Sequence, residues 1–353
     1  MTVRVAIVGA GIGAEHLAGY RALPDRYSVV TLCDLDIARA EVVIAGSGIA
    51  VATSFDSVLA DDSIDLIDVC LPPHLHFEMS MAALKAGKHV VCEKPLCTSL
   101  RDVDALIRQA KLSGKIVSPV FQYRYGPETE KLHRLMTAGL TGKPLVASLE
   151  THWRRDADYY AVPWRGTWAG EQGGAVLGHA IHAHDLLCLF FGPVARVSGF
   201  TTTRVNPIET EDCAALSFAM ENGALASSSI TLGAADDRTR LRFCFERVTA
   251  ESGIAPYKPA EDAWTFTARG DVSQAEVDAC LASVGDGPSG FSGFFAALAD
   301  RLDGQGGREV TLSDGRRSLE LVTAIYDATR NGGVTNLPLG KGHALYEGWG
   351  PSR

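Results

Sequence analysis

The first 122 residues alternate two kinds of segment so regularly that few folds can hold them. Short apolar runs ("VRVAIVG", "YSVVTLCD", "GIAVAT", "IDLIDVCL", "KHVVCEKP", "KIVSPVFQY") are separated by helix-like stretches such as "AEHLAGYRAL", "LDIARAEVVIA", "HFEMSMAALKAG" and "LRDVDALIRQAKLSG". A strand that is apolar along its whole length is covered on both faces, and parallel strands need helical crossovers to join them. The alternation therefore predicts an α/β domain, a doubly wound parallel sheet of the Rossmann kind, over residues 1–122. The remaining 123–353 form a second domain, because 353 residues exceed what one ordinary core holds.

The first turn sharpens the prediction. "GAGIGA" places Gly9, Gly11 and Ala14 in a G-x-G-x-x-A pattern between a strand and a helix. Gly9 permits the tight turn, Gly11 lets a pyrophosphate approach the backbone, and Ala14 lets the helix pack on the sheet. Ile12 and Gly13 belong to the same turn, and Gly13 competes with Gly11 and Ala14 for these duties. The helix N-terminus offers N–H donors to phosphate. Asp34 closes the second strand, where an acid accepts hydrogen bonds from ribose hydroxyls and repels a 2′-phosphate. NAD is thus favoured over NADP.

Charge and composition exclude other classes. A net charge of -9 repels phosphate backbones and anionic membranes, so nucleic acid is not an expected partner. No apolar run is long enough for a spanning helix and no signal-peptide pattern opens the chain, so neither membrane nor export is expected. The eight cysteines show no C-x-x-C spacing and sit mostly in apolar runs, as reduced thiols of a cytoplasmic protein do. Cys92 and Cys97 are the nearest pair in sequence, and a redox role is not favoured for them.

The segment "LPPHLHFEMSMAALKAGKHVVCEKP", with "GAGIGAEH", "FQYRYGP" and "GGAVLGHAIHAHDL", resembles the Gfo/Idh/MocA family of oxidoreductases. "VTLSDGRRSLELVTAIYDATRNGGVTNLPL" resembles that family's closing helix and strand. The resemblance implies an N-terminal Rossmann domain and a C-terminal α+β domain with a large, mostly antiparallel open sheet. It also implies assembly through that sheet into a homodimer or homotetramer. Two β-like runs around Asn222-Gly223 support the sheet independently as a hairpin.

Family roles then map onto this chain. Lys94, directly after a buried strand at the carboxyl end of the sheet, is implied to hydrogen-bond the reacting oxygen and favour the alkoxide. Glu93 is expected to orient Lys94 or its loop, and Lys94–Pro95 is a candidate cis bond. Leu71, Pro72 and Pro73 are expected beside the nicotinamide, as is Gln122. His74 or His76 would touch ribose or phosphate, or else serve as a helix cap. Arg124 is a substrate candidate, whereas Tyr123 and Tyr125 are read as packing. From the aromatic- and arginine-dense stretch 151–174, His152, Arg154 and Trp164 are assigned to substrate and Arg165 and Trp168 to the cofactor side, with Arg154 and Arg155, at a strand end, the weaker candidates.

The cluster "GHAIHAHD" carries His179, His182, His184 and Asp185. One continuous helix would put 179, 182 and 185 on one face and His184 elsewhere. The family register makes His182 the base beside the reacting alcohol, a role suited to an ordinary histidine pKa near ~6.5. His179 assists it. Gly178 stands where the family's better-known pattern has an aspartate, and Asp185 is one candidate to replace it. A metal held by His179, His182 and Asp185 is a competing reading, and so is a purely structural helix; no metal is expected.

The implied activity is NAD-dependent oxidation of a secondary alcohol, or lactol, of a sugar, cyclitol or sugar derivative. Glycoside cleavage through transient oxidation and elimination is the alternative, as is a non-catalytic dinucleotide-sensing regulator.

Overall fold

The computed structural model describes residues 2–350, and its contacts divide the chain into two units. The first joins Met1–Gln122 to Phe291–Arg316, and the second joins Tyr123–Gly290 to Arg317–Arg353.

In the first unit, β1 (Val3–Val8), α1 (Gly13–Arg21), β2 (Tyr27–Cys33), α2 (Ile37–Ile44), β3 (Ala50–Ala52) and α3 (Phe55–Leu59) are followed by β4 (Leu66–Val69), α4 (Pro73–Lys85), β5 (His89–Cys92), α5 (Leu100–Ser113) and β6 (Val117–Pro119). The strands form a parallel sheet of order β3-β2-β1-β4-β5-β6, whose direction of winding reverses beside β1. That is the doubly wound sheet the alternation predicts. All four residues of β4 are buried, so Asp68 lies wholly inside the sheet, and a buried acid needs a partner. Segment 291–316, assigned by the sequence to the second domain, packs in this unit. Tyr20 stacks on Phe295 at 3.7 Å, and the Tyr27 hydroxyl donates to the Phe295 carbonyl at 2.8 Å. Gly19 makes room for this contact, since a Cβ there would approach Phe291 and Phe295 to 2.9 Å.

The second unit is built on an eight-stranded sheet. Its elements are α6 (Pro127–Thr137), β7 (Pro144–Arg154), α7 (Ala157–Tyr160), α8 (Ala175–Gly178), α9 (Ile181–Phe191), β8 (Val194–Thr202), β9 (Cys213–Met220), β10 (Leu225–Thr231), β11 (Gly233–Phe245), β12 (Val248–Glu251), β13 (Thr265–Ala268) and α10 (Gln274–Leu281). Helix α11 (Gly290–Leu302) carries Phe291 and Phe295; α12 (Leu312–Asn331) and β14 (Val334–Asn336) close the chain. The sheet order is β13-β12-β11-β7-β10-β9-β8-β14, antiparallel except where β7 pairs with β10. The Asn222-Gly223 hairpin joins β9 and β10, with Gly223 at φ +90. Along β7 the side chains alternate: Ala147, Leu149, Thr151 and Trp153 are buried on one face. The other face carries small and polar residues, among them Ser148, Ser217, Ser227 and Ser229, with the exposed apolar Phe200, Leu225 and Val334. Helix α9 is buried nearly all round, as its apolar composition demands.

Among the described residues, no helix is long and apolar enough to cross a membrane, and all eight cysteines are free.

Candidate active site

In the first unit the Gly-rich turn is shaped by close approaches. Gly9 has φ +107, and a Cβ on it would lie 2.3 Å from the Cys70 carbonyl oxygen. A Cβ on Gly13 would lie 2.8 Å from Ile7, so Gly13, not Ala14, lets α1 pack on the sheet. Gly11 faces open space, with nothing within 4 Å of a Cβ, as a position that admits a phosphate requires. Helix α1 begins here at Gly13, with Ile12 half exposed at its cap.

Asp34 ties the turn down: its Oδ2 accepts from the Ala10 N–H at 2.6 Å and its Oδ1 from the Asp36 N–H at 2.8 Å. Arg39 donates to both oxygens, at 2.9 and 3.0 Å. Burial pushes the carboxyl up, but the two backbone donors and Arg39 outweigh it and hold its pKa below the usual range. Three donors thus make four contacts and fill the carboxylate's acceptor capacity, so a ribose hydroxyl must take the place of the half-exposed Arg39. Arg39 carried no recognisable motif in the sequence.

Pro73 opens α4 at its first turn, with Pro72 as cap and Leu71 against Gly9. His76, expected at ribose or phosphate, is fully buried, with Nδ1 2.7 Å from the Pro95 carbonyl and Nε2 2.7 Å from the Leu71 carbonyl. Its ring therefore stitches the two loops together, with a protein carbonyl at each nitrogen. Glu93 Oε2 accepts the Lys94 N–H at 3.0 Å, and the Lys94–Pro95 bond is cis. Lys94 itself is half-buried. Gln122 ends this unit with a buried Oε1 that lacks a hydrogen-bond partner.

The second unit holds the histidine cluster, and its geometry corrects one expectation. The helix is not continuous: α8 ends at Gly178, His179 caps it with φ -121, and α9 begins at Ile181. His179 thus leaves the face shared by His182 and Asp185. Its ring meets Trp153 edge-on at 5.3 Å and Tyr159 at 5.9 Å. His182 stacks on Tyr123 at 4.4 Å, and the Tyr123 hydroxyl donates to the Pro256 carbonyl at 3.0 Å. One helical turn on, the Asp185 carboxylate accepts Arg124 Nε at 2.7 Å and Nη2 at 2.6 Å. Two consecutive residues thus clamp two residues spaced i, i+3 on α9. Arg124, expected to meet substrate, is buried in this bidentate ion pair. His184 lies elsewhere, with Nε2 3.1 Å from the Ser228 hydroxyl; burial alone pushes its pKa down to about 4, so it is neutral and structural.

His152 and Arg154 point to the opposite face of β7 from Trp153, His152 onto the Ser229 hydroxyl at 2.9 Å and Arg154 towards Asp156 at 3.4 Å. The period-2 alternation sets this, and Trp153 fixes its phase. Arg155 takes the place expected for them. Its guanidinium lies 4.9 Å from the Trp153 ring and 5.1 Å from Tyr159, paired with Asp237 at 3.1 Å and donating to the Tyr257 hydroxyl at 2.8 Å. Arg165 lies 3.9 Å over Tyr159 and 5.4 Å from Trp164, with a buried Nε that has no hydrogen-bond partner. Trp168 is held by Glu209, its Nε1 donating to that carbonyl at 3.1 Å.

Glu211, which no sequence motif marks, fastens the start of the cluster. Its carboxylate accepts the Val176 N–H at 3.0 Å, the Gly174 N–H at 3.1 Å and the Tyr326 hydroxyl at 3.0 Å. Burial pushes its pKa up to about 7 against these donors. A Cβ at Gly174 would lie 1.9 Å from the Glu211 carbonyl oxygen, so the glycine is obligatory there. At Gly178, by contrast, a Cβ meets nothing within 4 Å.

A phosphate-admitting glycine turn at the carboxyl end of a doubly wound sheet, with an acid closing β2, defines a dinucleotide-binding α/β protein. The open space at Gly11, the N-terminus of α1 and the orphaned Gln122 oxygen all fit NAD. Residues 3–121 match the NAD-binding Rossmann domain of an oxidoreductase family, and residues 129–251 match the GFO/IDH/MocA C-terminal domain. The chain belongs to the Gfo/Idh/MocA family. Among solved structures, the WlbA dehydrogenase of Bordetella pertussis, in complex with NADH and UDP-GlcNAcA, is 27% identical with a TM-score of 0.84, over 96% of this chain and 100% of that one. Inositol 2-dehydrogenase 3 of Saccharopolyspora erythraea is 34% identical over 42% of this chain and 44% of its own length. D-glucoside 3-dehydrogenase of Escherichia coli is 28% identical over 54% of each. The chain spans less than two thirds of the length of most curated relatives it matches.

Proposed function

We propose that this protein is an NAD-dependent dehydrogenase of sugars, cyclitols or their derivatives, oxidising a secondary alcohol or lactol. Bound NAD supplies the hydride acceptor. Lys94 donates a hydrogen bond to the reacting oxygen and stabilises the charge that builds there as the C–H bond breaks. His182 accepts the hydroxyl proton, so the alcohol becomes a ketone or lactone with its proton on the imidazole. His179 contacts the substrate and assists.

The observation that carries the reading is the setting of His182: a buried imidazole stacked on Tyr123 and backed by the Arg124–Asp185 clamp. Such fixing suits a group that must meet one hydroxyl in one orientation. Arg155 and Arg165, set against Trp153, Tyr159 and Tyr257, gather positive charge beside the cluster, and with the unpartnered Arg165 Nε this favours a substrate bearing a carboxylate or phosphate. The sugar-nucleotide acid bound to the WlbA dehydrogenase is of that chemistry. Assembly into a homodimer or homotetramer, through the sheet face that carries Phe200, Leu225 and Val334, completes the proposal, as does a cytoplasmic setting.

The test is NADH formation across inositols, free sugars, glycosides and nucleotide-linked uronic acids, with NAD and NADP in parallel. Net NADH from at least one alcohol supports the reading. Glycoside cleavage without net NADH supports transient oxidation, and tight NAD binding without turnover supports a sensor.

A further inference from the structure

A buried polar cluster of the first unit reaches the backbone of Lys94 through Glu93 and centres on a histidine that no sequence motif singles out. His16, on α1, is fully buried, and both ring nitrogens face carboxylates. Nδ1 lies 2.8 Å from Asp68 Oδ2, and Nε2 lies 3.0 Å from Glu93 Oε1. Cys70 Sγ sits 3.3 Å from Nδ1 and donates to Asp68 Oδ1 at 3.5 Å. The ring is wedged against Phe291 at 4.5 Å and Phe295 at 5.6 Å, so it has no room to turn away.

Counting protons narrows this cluster to two states, an imidazolium between two carboxylates or a neutral ring facing one protonated acid. An ionised carboxylate only accepts, so each of the two contacts requires a proton on nitrogen. A neutral imidazole supplies one; the imidazolium supplies both. Burial opposes the charge, but Asp68 and Cys70 more than offset it and raise the histidine's pKa well above the ordinary range. Tyr20, one turn along α1, and Tyr27 and Cys92 are further titratable groups coupled to the cluster, and burial holds each of them protonated.

The cluster has an outlet. Glu93 uses its second oxygen, Oε2, to accept the Lys94 N–H at 3.0 Å, while its own N–H donates to Val69 at 3.0 Å. The rotation of the Glu93 carboxylate is thus set at one end by His16 and read at the other by the backbone of Lys94. We propose that His16 is a positioning residue: an imidazolium clamped between Asp68 and Glu93 that aims the Glu93–Lys94–Pro95 turn, and with it the Lys94 ammonium. The proposal rests on the reading that Lys94 acts at the reacting oxygen, but the clamp itself can be tested without a substrate.

The experiment uses the full chain and its His16→Gln, Glu93→Gln and double variants, each checked for folding by thermal melting. Imidazole nitrogen NMR of the wild type is expected to show one histidine, absent in His16→Gln, that keeps protons on both nitrogens into alkaline solution. Acylation of Lys94, followed by peptide mass spectrometry, is expected to change rate several-fold in both single variants. On any alcohol that reduces NAD, kcat is expected to fall about tenfold to a hundredfold with little change in the KM for NAD. The double variant should be no worse than the poorer single one, because the two residues act as a unit. A neutral His16 at neutral pH, or folded variants with unchanged Lys94 reactivity and unchanged kcat, overturns the proposal. Fully additive losses in the double variant overturn it too. If no alcohol reduces NAD, the functional reading fails, while the nitrogen spectra and Lys94 labelling still decide the clamp.

Discussion

The two units hold their chemistry by different means. Around the Gly-rich turn the backbone does most of the holding: Gly9 and Gly13 exist because the Cys70 carbonyl and Ile7 leave no space for a side chain. Around α9 side chains clamp side chains: Tyr123 stacks on His182 and Arg124 pairs with Asp185. A backbone-built site tolerates change in its surroundings but not in its glycines. A site built from clamps is sensitive at the residues that hold it as well as at the residues held.

That contrast can be broken by substitution. The largest effect is expected at His182: His182→Ala should lower kcat by roughly 10²–10⁴-fold with the fold intact, measured by NADH formation. Unchanged turnover would remove it from the mechanism. Next, Arg124→Ala removes the bidentate partner of the buried Asp185 carboxylate and should cost about 3–5 kcal/mol of stability, measured by denaturant unfolding. A loss below 1 kcal/mol on that scale would mean the clamp is not tight.

Glu211 gives a smaller, pH-dependent effect. Burial raises its carboxyl to about 7 in the folded chain, above its ordinary 4.5, so the folded state binds the proton more tightly. Its contribution is therefore most favourable below the unfolded value and declines as pH rises through that window, by at most roughly 1 kcal/mol per pH unit. Glu211→Gln should flatten this slope in melts taken across the window. The smallest effect is at the first unit's edge, where Arg39→Ala should weaken NADP binding by about 1 kcal/mol and slightly tighten NAD binding, because the ribose hydroxyl no longer displaces Arg39 from Asp34. Equal losses for both coenzymes would show that Arg39 does not read the 2′ position.

The same contrast explains what the sequence made legible. Apolar runs broken by helices, and glycines at fixed spacing, encode backbone geometry directly, so the doubly wound sheet and its nucleotide turn were readable from residues 1–122. Asn222-Gly223 announced its hairpin for the same reason. Clamps have no such code. Tyr123 reads as packing until His182 is seen beneath it, and Glu211 stands in a loop far along the chain from Gly174. The break at His179 was hidden because "GHAIHAHD" is compatible with one helix. Two signals were present but weak. The alternation Ala147, Leu149, Trp153 fixes the phase of β7 and puts Arg155, not His152 or Arg154, beside the aromatic cluster. Asp68 in the otherwise apolar run "IDLIDVCL" marks a buried acid whose partner turned out to be His16.

The central claim is that this chain moves hydride from a carbinol carbon to NAD while Lys94 and His182 manage the oxygen. Its most direct test is turnover of an alcohol deuterated at the reacting carbon, followed by mass spectrometry of the coenzyme. The account predicts one deuterium in each reduced coenzyme formed, matched by one molecule of ketone or lactone. Reduced coenzyme without deuterium, or product without reduced coenzyme, would contradict it.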